Sequence, residues 1–597
     1  KAAGTGVPRV VVNILVDQLR TDYLNAFMPL YGQEGFVRLL GEGRVYSQAE
    51  YPQYRPDRAS AAATLATGTT PYNHGIVGMK WLDRETLRPV FCVDNAQYAG
   101  IQTADASAPT FLGVSTIGDE LKVATEGKAL VYAIAPYRDA AVLSAGHAAD
   151  GAVWIDDRTG QWCTTSYYGK SLPTWAAVLN SSGGLNERLK SLTWKPSNDL
   201  VGNFSYFLSG GMKKPFAHKF VGNGRFASFK TSGLVNTEIA RAATQCVEGT
   251  MLGTDDVTDY LALTFYAGNI DHRTVSESPM ELQDTYVRLD QALAQLIKSV
   301  EHKVGKGKAL FVLTSTGYAD EENNDLTKYR IPTGTFDVER AAGLLNMYFV
   351  AVYGQGKYVD ACFGTQLYLN HKLIEQKQIN LAEMLERAQD FLLQLSGVKD
   401  VYTSSRLLQG AWTPGISRMR GAYNSRYSGD IMIEVAPGWH YVNNTTRENQ
   451  LVRESYIPFP IIFLGEGFKA ETISQPVTID YVAPTVGQRP APQLLNAPLL
   501  IICALNYLHT YLHINLFTQP IIRTFAHSHI RTFAHSHIYN SGATLQAFGA
   551  RIRMAFDRKD QGSLSCHSST RQRWLTCQDQ GVARKDSALC RRHQGKD

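Results

Sequence analysis

The 597-residue chain has only 8 cysteines, and no two of them form a CxxC pair, so a zinc ribbon and a thioredoxin-like redox motif are both excluded. Cys92, Cys163, Cys246 and Cys362 are scattered through the first 487 residues, a spacing open to buried thiols or to one or two disulfides. No apolar run reads as a membrane span: Leu499–Phe517 is uncharged, but it carries Asn506, His509, Thr510, His513 and Asn515. No glycine-rich phosphate loop stands in the required context, because Gly305-Lys306-Gly307-Lys308 and Gly4-Thr5-Gly6 precede strands instead of following them. Strong charge of one sign is missing as well. The formal net charge of +5 comes from the last 110 residues, which hold 14 Lys/Arg against 5 Asp/Glu, whereas the first 487 hold 45 against 49. The body is therefore mildly acidic, which argues against nucleic acid as a partner.

With 44% hydrophobic and 19% charged residues the composition is that of a globular chain. Val10–Asp17 is an unbroken apolar run ending in a carboxylate, the signature of a strand buried on both faces of a parallel sheet. Comparable runs at Ala129–Ala135, Tyr260–Phe265, Ala309–Leu313, Met347–Val352 and Ile461–Leu464 are expected as further strands, with helices over Pro279–Val300 and Leu381–Leu395 between them. This alternation predicts an α/β fold, a doubly wound and mostly parallel sheet with ligands at the carboxyl ends of its strands. Two long segments, roughly 154–237 and 358–440, break the alternation and are expected as caps or subdomains inserted into a domain covering residues 1–487. Residues 488–597 form an atypical basic tail with a tandem octapeptide, Ile522–His529 and Ile530–His537, and no apolar periodicity. It is expected to be disordered or non-native. Lys1-Ala2-Ala3-Gly4 is neither a signal peptide nor an initiator methionine, so the chain reads as one trimmed after export. The tyrosines of Ser166-Tyr167-Tyr168, with Trp175, are expected mainly to pack.

The string Ala61–Gly75, AAATLATGTTPYNHG, followed by Trp81-Leu82-Asp83, resembles a signature of the alkaline phosphatase superfamily in its type I phosphodiesterase/nucleotide pyrophosphatase branch. Val16–Leu24, Ala145–His147, Trp154–Tyr168, Glu281–Asp290 and Ser428–Trp439 are similar to the phosphate-irrepressible periplasmic alkaline phosphatases of Bacteroidetes-type bacteria, in order and over residues 1 to about 487. The resemblance implies a periplasmic or cell-surface location and a phosphoryl-transfer site of two zinc ions about 4 Å apart, with a hydroxyl nucleophile. Such a site needs six Asp or His ligands.

Set against those motifs, Asp17 matches the first metal carboxylate, but the nucleophile position, nine residues before Thr67, holds Arg58. The amide that helps bind the phosphoryl oxygens is replaced by Met79. The Asp-x-x-x-His pair falls on Asn269 and Arg273, the Asp-His pair on Thr316 and Gly317, and the last histidine on Asn449. A Lys-x-Arg pair aligns with Pro136 and Arg138. Ser60 as a displaced nucleophile and Asp271-His272 as a displaced ligand pair are the alternatives, but both require a shift between motifs that otherwise keep register. The body holds only seven histidines, too few to supply the missing ligands.

The expected reading is thus a degenerate member with no catalytic residue and no metal, binding an anionic ligand or a protein partner through Arg58, Arg138 and Arg273. The other reading is an active phosphate monoester or diester hydrolase with two zinc ions and a displaced site. Membrane association is expected only through lipidation or the tail. Asp17 alone cannot hold a divalent ion, and Arg58 is expected to replace the ion with a salt bridge. If all three arginines point inward, the site carries a positive surplus.

Overall fold

The computed structural model describes residues 7–202, 215–319, 332–410, 413–444, 446–452 and 457–487. The basic tail, its duplicated octapeptide and the Leu499–Phe517 run lie outside the described residues. Strand β1 (Val10–Asp17) is buried along its whole length at the centre of the main sheet. It pairs in parallel on one side with a strand at Asp259–Tyr266 and on the other with one at Ala309–Ser315. Beyond the first of these the sheet continues in parallel through Val131–Ile134 and Gly151–Ile155, then turns antiparallel at Trp162–Thr165. Beyond the second it continues through Phe459–Leu464, which runs antiparallel, and Arg44–Glu50, which is antiparallel to that strand and so returns to the direction of the centre. The five central strands are parallel, and the sheet is the doubly wound, mostly parallel one expected from the apolar runs.

Helices cover both faces. On one side the 26-residue helix Pro279–Val304 packs with Leu234–Gly249 over a core that includes Ile14, Val16, Phe265, Tyr286 and Leu293. On the other, the alanine-rich helix Arg58–Thr67, here α1, lies beside Arg138–Ala145, here α2. Its small residues Ala59, Ala61, Ala62, Ala63 and Ala66 allow the close approach. Residues 166–202 and 215–230 add short helices and an antiparallel pair of short strands, Thr193–Trp194 and His218–Lys219, and their Trp175, Leu189, Trp194 and Phe226 belong to the first of these cores.

A separate core spans Phe336 to Val452, in which helices pack on the antiparallel sheet made by Val359–Phe363, Gln366–Leu369, Ile431–Val435 and Val398–Thr403. One expected strand is corrected here. Met347–Val352 is the last part of a helix, Val338–Tyr353, capped by Asp337, whose carboxylate accepts the Arg340 N–H at 2.9 Å. Val338, Ala341, Leu345 and Phe349 recur at helical spacing and fill this core, so the six-residue apolar run was one stretch of a longer amphipathic pattern. Cys92, Cys163, Cys246 and Cys362 are free thiols, the first three buried. Among the described residues no helix is long and apolar enough to cross a membrane.

Candidate functional site

The site is built where β1 ends and α1 begins. Asp17 is 2% exposed at the carboxyl end of β1. One of its oxygens accepts the Thr316 hydroxyl at 3.0 Å, and the Tyr318 hydroxyl also donates to this carboxylate. Thr316 in turn accepts the Gln18 N–H at 3.0 Å, so the ends of two adjacent strands are tied together through the carboxylate.

Helix α1 opens with a capping box. The Asp57 carboxylate accepts the Ser60 N–H and the Ser60 hydroxyl, each at 2.9 Å, while Ser60 Oγ accepts the Asp57 N–H at 3.0 Å. Asp57 also accepts the Met79 N–H at 2.5 Å, and burial pushes its pKa up. Ser60 is therefore engaged as a helix cap.

Arg58 is the first residue of α1, and its guanidinium reaches into the site. Nε and Nη2 fork onto the two oxygens of Asp139 at 2.9 and 3.2 Å, Nη1 stands 3.7 Å from Asp17, and the group lies 3.8 Å over the Tyr137 ring. The Asp17–Arg58 ion pair expected from the sequence is present, but the closer partner is Asp139. Burial opposes the charge on Arg58, while Asp139, Tyr318 and Asp17 outweigh it and hold its pKa above the ordinary value. A second cation, Lys230, lies 4.8 Å from the centre of the same Tyr137 ring. Its side chain is 1% exposed, and Nζ donates to the Ile155 carbonyl at 2.5 Å and to Asp157 at 2.6 Å; burial pushes its pKa down.

Asp139, Tyr137 and Lys230 were missed in the sequence. The available signal was the string Tyr137-Arg138-Asp139 at a helix start, where the first acidic residue of the turn was a candidate partner for an arginine.

The three arginines do not converge, which corrects the expected positive surplus. Arg138 is bound to Asp94 at 2.7 Å and to the Ser107 hydroxyl at 3.2 Å, and lies 4.1 Å over the Phe91 ring. Arg273 is exposed at the end of the loop that follows the Asp259–Tyr266 strand. Around Arg58 two buried carboxylates face one guanidinium, so the centre is not an anion trap.

The other substituted positions do not assemble a metal site. Asn269 is spent on its own loop: its carbonyl oxygen accepts the Ile270 N–H and its amide donates to the Thr274 and Ser278 carbonyls at 3.1 and 3.0 Å. Gly317 has φ +74, and a Cβ there would stand 2.6 Å from the Tyr51 ring. That ring is fixed by its hydroxyl on the Ser315 carbonyl at 2.8 Å and by packing on Phe459. A histidine at this position has no room. Asn449 lies on the strand Glu448–Leu451 in a small separate sheet, 3.2 Å from His440 Nδ1. Asp271 and His272 are both exposed, with φ of 48 and 56. Among the described residues no group of three or more His, Cys, Asp or Glu is arranged to hold a metal ion. Asp17 is engaged by the Thr316 and Tyr318 hydroxyls and faces the Arg58 guanidinium, across which stands Asp139, a set with a fixed cation in it that does not fit a pair of zinc ions.

The chain is 27% identical over 496 residues to alkaline phosphatase PafA of Elizabethkingia meningoseptica, covering 80% of this chain and 91% of the relative. It is 26% identical over 501 residues to alkaline phosphatase PhoV of Synechococcus elongatus, covering 80% and 89%. The crystal structure of wild-type PafA superposes with a TM-score of 0.71 at 26% identity, covering 81% of this chain and 95% of that one. The fold is thus alkaline-phosphatase-like. Residues 11–456 match the family described as type I phosphodiesterase/nucleotide pyrophosphatase, and the chain belongs to that family, within the alkaline phosphatase superfamily.

Proposed function

We propose that this chain is a non-hydrolysing member of its family: an exported, metal-free binding protein that keeps the phosphatase fold without its chemistry. The observation that carries this is the Arg58 guanidinium, bound to Asp139 and within 3.7 Å of Asp17, at the residue to which the motif resemblance assigns the nucleophile. A guanidinium cannot attack phosphorus, because it stays protonated and offers no lone pair. It also supplies at Asp17 the positive charge that a metal would otherwise provide. The nearest hydroxyl on α1, Ser60, donates to the Asp57 carboxylate at 2.9 Å and is held in the capping box of the helix. What the protein would bind is a small anion or a protein partner.

The test has two readouts on the purified protein. Metal analysis should give far less than one zinc per chain, and aryl phosphate monoesters and diesters should show no turnover that a chelator abolishes. Electrostatic stabilisation of the transferring phosphoryl group is the largest catalytic term, so its loss costs many orders of magnitude. Near two zinc ions per chain, with a rate lost both to chelator and to Ser60→Ala, would establish the active hydrolase instead.

A further inference from the structure

The helix Val338–Tyr353 turns Val338, Ala341, Leu345 and Phe349 to the core that spans Phe336 to Val452. Its opposite side runs along Arg340, Gly343, Met347 and Ala351, all exposed, with Val352 beside them. Met347 is 61% exposed and Val352 40%. Between Arg340 and Lys357 the sequence holds no charged residue, whereas the water-facing side of a surface helix is ordinarily polar or charged. On one flank the Tyr348 ring stacks on Phe391 of the helix Leu381–Leu392, with centroids 4.9 Å apart and planes 14° from parallel. Arg387 of that helix bonds Tyr348 and pairs with Glu383 at 2.8 Å, which gives the flank a polar rim without net charge. An exposed apolar strip with a polar rim marks an interaction surface.

Gly343 is a second sign of the same thing. A glycine inside a helix costs about 1 kcal/mol relative to alanine. The fold itself has no use for it, since a Cβ there would meet nothing within 4 Å among the described residues. A bare backbone at an exposed point of the strip lets another backbone come close from outside the chain.

We propose that this face docks a second copy of the chain, the two Val338–Tyr353 helices packing antiparallel about a two-fold axis at Met347. The pairing sets Gly343 of each copy level with Ala351 of the other, small against small, while the two methionines adapt to each other at the centre. Charge fixes the direction. The start of the helix carries Asp337, Glu339 and Arg340, a net −1, and the far end carries Lys357 and Lys377, a net +2, with Lys377 Nζ on the Tyr353 and Gln355 carbonyls at 3.2 and 2.6 Å. An antiparallel pair sets each end against its opposite, and a parallel pair would set like against like. A strip of about three turns buries less than the about 800 Å² per partner of a standard interface, so the dimer is weak, with a dissociation constant on the order of 100 µM. It does not depend on whether the chain hydrolyses phosphate esters.

Sedimentation velocity of the full chain tests this between about 5 and about 200 µM, in about 0.5 M salt to suppress association through the basic tail. The weight-average sedimentation coefficient of the parent should rise with concentration from the monomer value toward the dimer value. Met347→Glu, which sets two like charges at the two-fold axis, should stay at the monomer value throughout. Gly343→Leu should do the same with a melting temperature no lower than the parent's, because leucine is the better helix former and the space at Gly343 is open; loss of association there is not loss of fold. Val123→Glu, at a residue 60% exposed on the separate helix Ile117–Ala124, should dimerise as the parent does. A parent that stays monomeric over the whole range would overturn the second copy as occupant and leave the face to a helix of another protein. Association of Met347→Glu or of Gly343→Leu equal to the parent's would overturn the proposal by placing the contact elsewhere.

Discussion

Arg58 and Asp139 meet in a two-pronged ion pair, Nε and Nη2 of the first on the two carboxylate oxygens of the second at 2.9 and 3.2 Å. The pair joins the first turns of two packed helices, α1 and α2. It also fixes the free prong of the guanidinium 3.7 Å from Asp17 at the end of the central strand. One cation thus serves two carboxylates that are almost wholly buried, at 1% and 3% side-chain exposure.

The first prediction follows from that shared cation. Replacing Arg58 by methionine removes the cation that the buried Asp139 and Asp17 share, and breaking a buried pair on one side costs about 3–5 kcal/mol. Lys230→Met is the contrast. Its partner Asp157 has a side chain 65% exposed, so water takes over that charge, and the cost is the orphaned Ile155 carbonyl, about 1–3 kcal/mol. Urea unfolding of the two variants should therefore rank Arg58→Met well below Lys230→Met. Equal stabilities would show that the guanidinium is not the counter-ion of this centre.

The second prediction concerns Gly317, which stands where the family resemblance places a histidine ligand. A non-glycine residue at φ +74 costs about 1–3 kcal/mol in backbone strain, and crowding the fixed Tyr51 ring adds about 1–3 kcal/mol. Gly317→His should unfold at markedly lower urea concentration than the parent and gain nothing from added zinc. A stable Gly317→His protein that zinc stabilises further would mean that the ring yields and the site can be rebuilt.

Much of this was legible in the residues, and the failures have identifiable causes. The unbroken apolar runs at Val10–Asp17, Tyr260–Phe265 and Ala309–Leu313 could be read as buried parallel strands because both faces of the sheet are covered. Met347–Val352 looked the same over six residues, and only the Asp337 cap and the helical spacing back to Val338 distinguish it. At the site, the register of the motif around Thr67-Gly68 set Arg58 where the resemblance puts the nucleophile, and its charge was expected to pair with Asp17. That the main partner is Asp139, 81 positions away, depends on how closely two alanine-rich helices approach, which no local pattern encodes. The divergence of Arg138 toward Asp94 is likewise a tertiary outcome, and without it the expected positive surplus would have been reasonable.

The third prediction is a pH dependence of the contact between the hairpin Lys80–Phe91 and the segment around the core that spans Phe336 to Val452. Asp430, 4% exposed, accepts Arg84 Nη1 at 3.0 Å, His371 Nε2 at 2.8 Å and the Leu369 N–H at 2.8 Å. The hydrogen bond to Asp430 raises the His371 pKa above its ordinary 6.5, against burial and the nearby Arg84, with Glu375 adding to the rise. Asp430 is shifted the other way: burial alone would raise its pKa, but His371 and Arg84 outweigh it and hold the carboxyl below the usual range. A raised histidine pKa means that its contribution is fully present below about pH 6.5 and is lost as pH rises through the folded value. A depressed aspartate pKa means a contribution present above about pH 4 and lost as pH falls through the folded value. The contact is therefore strongest between roughly pH 4 and 6.5. Because the His371 side chain is 44% exposed, solvent screening limits its share to about 1 kcal/mol or less. Arg84 still holds Asp430 at higher pH, so the contact weakens without opening. Urea midpoints of the parent and of His371→Gln should differ at pH 6 and draw together by pH 9. A difference that stays constant across that range would remove the protonated histidine from the account.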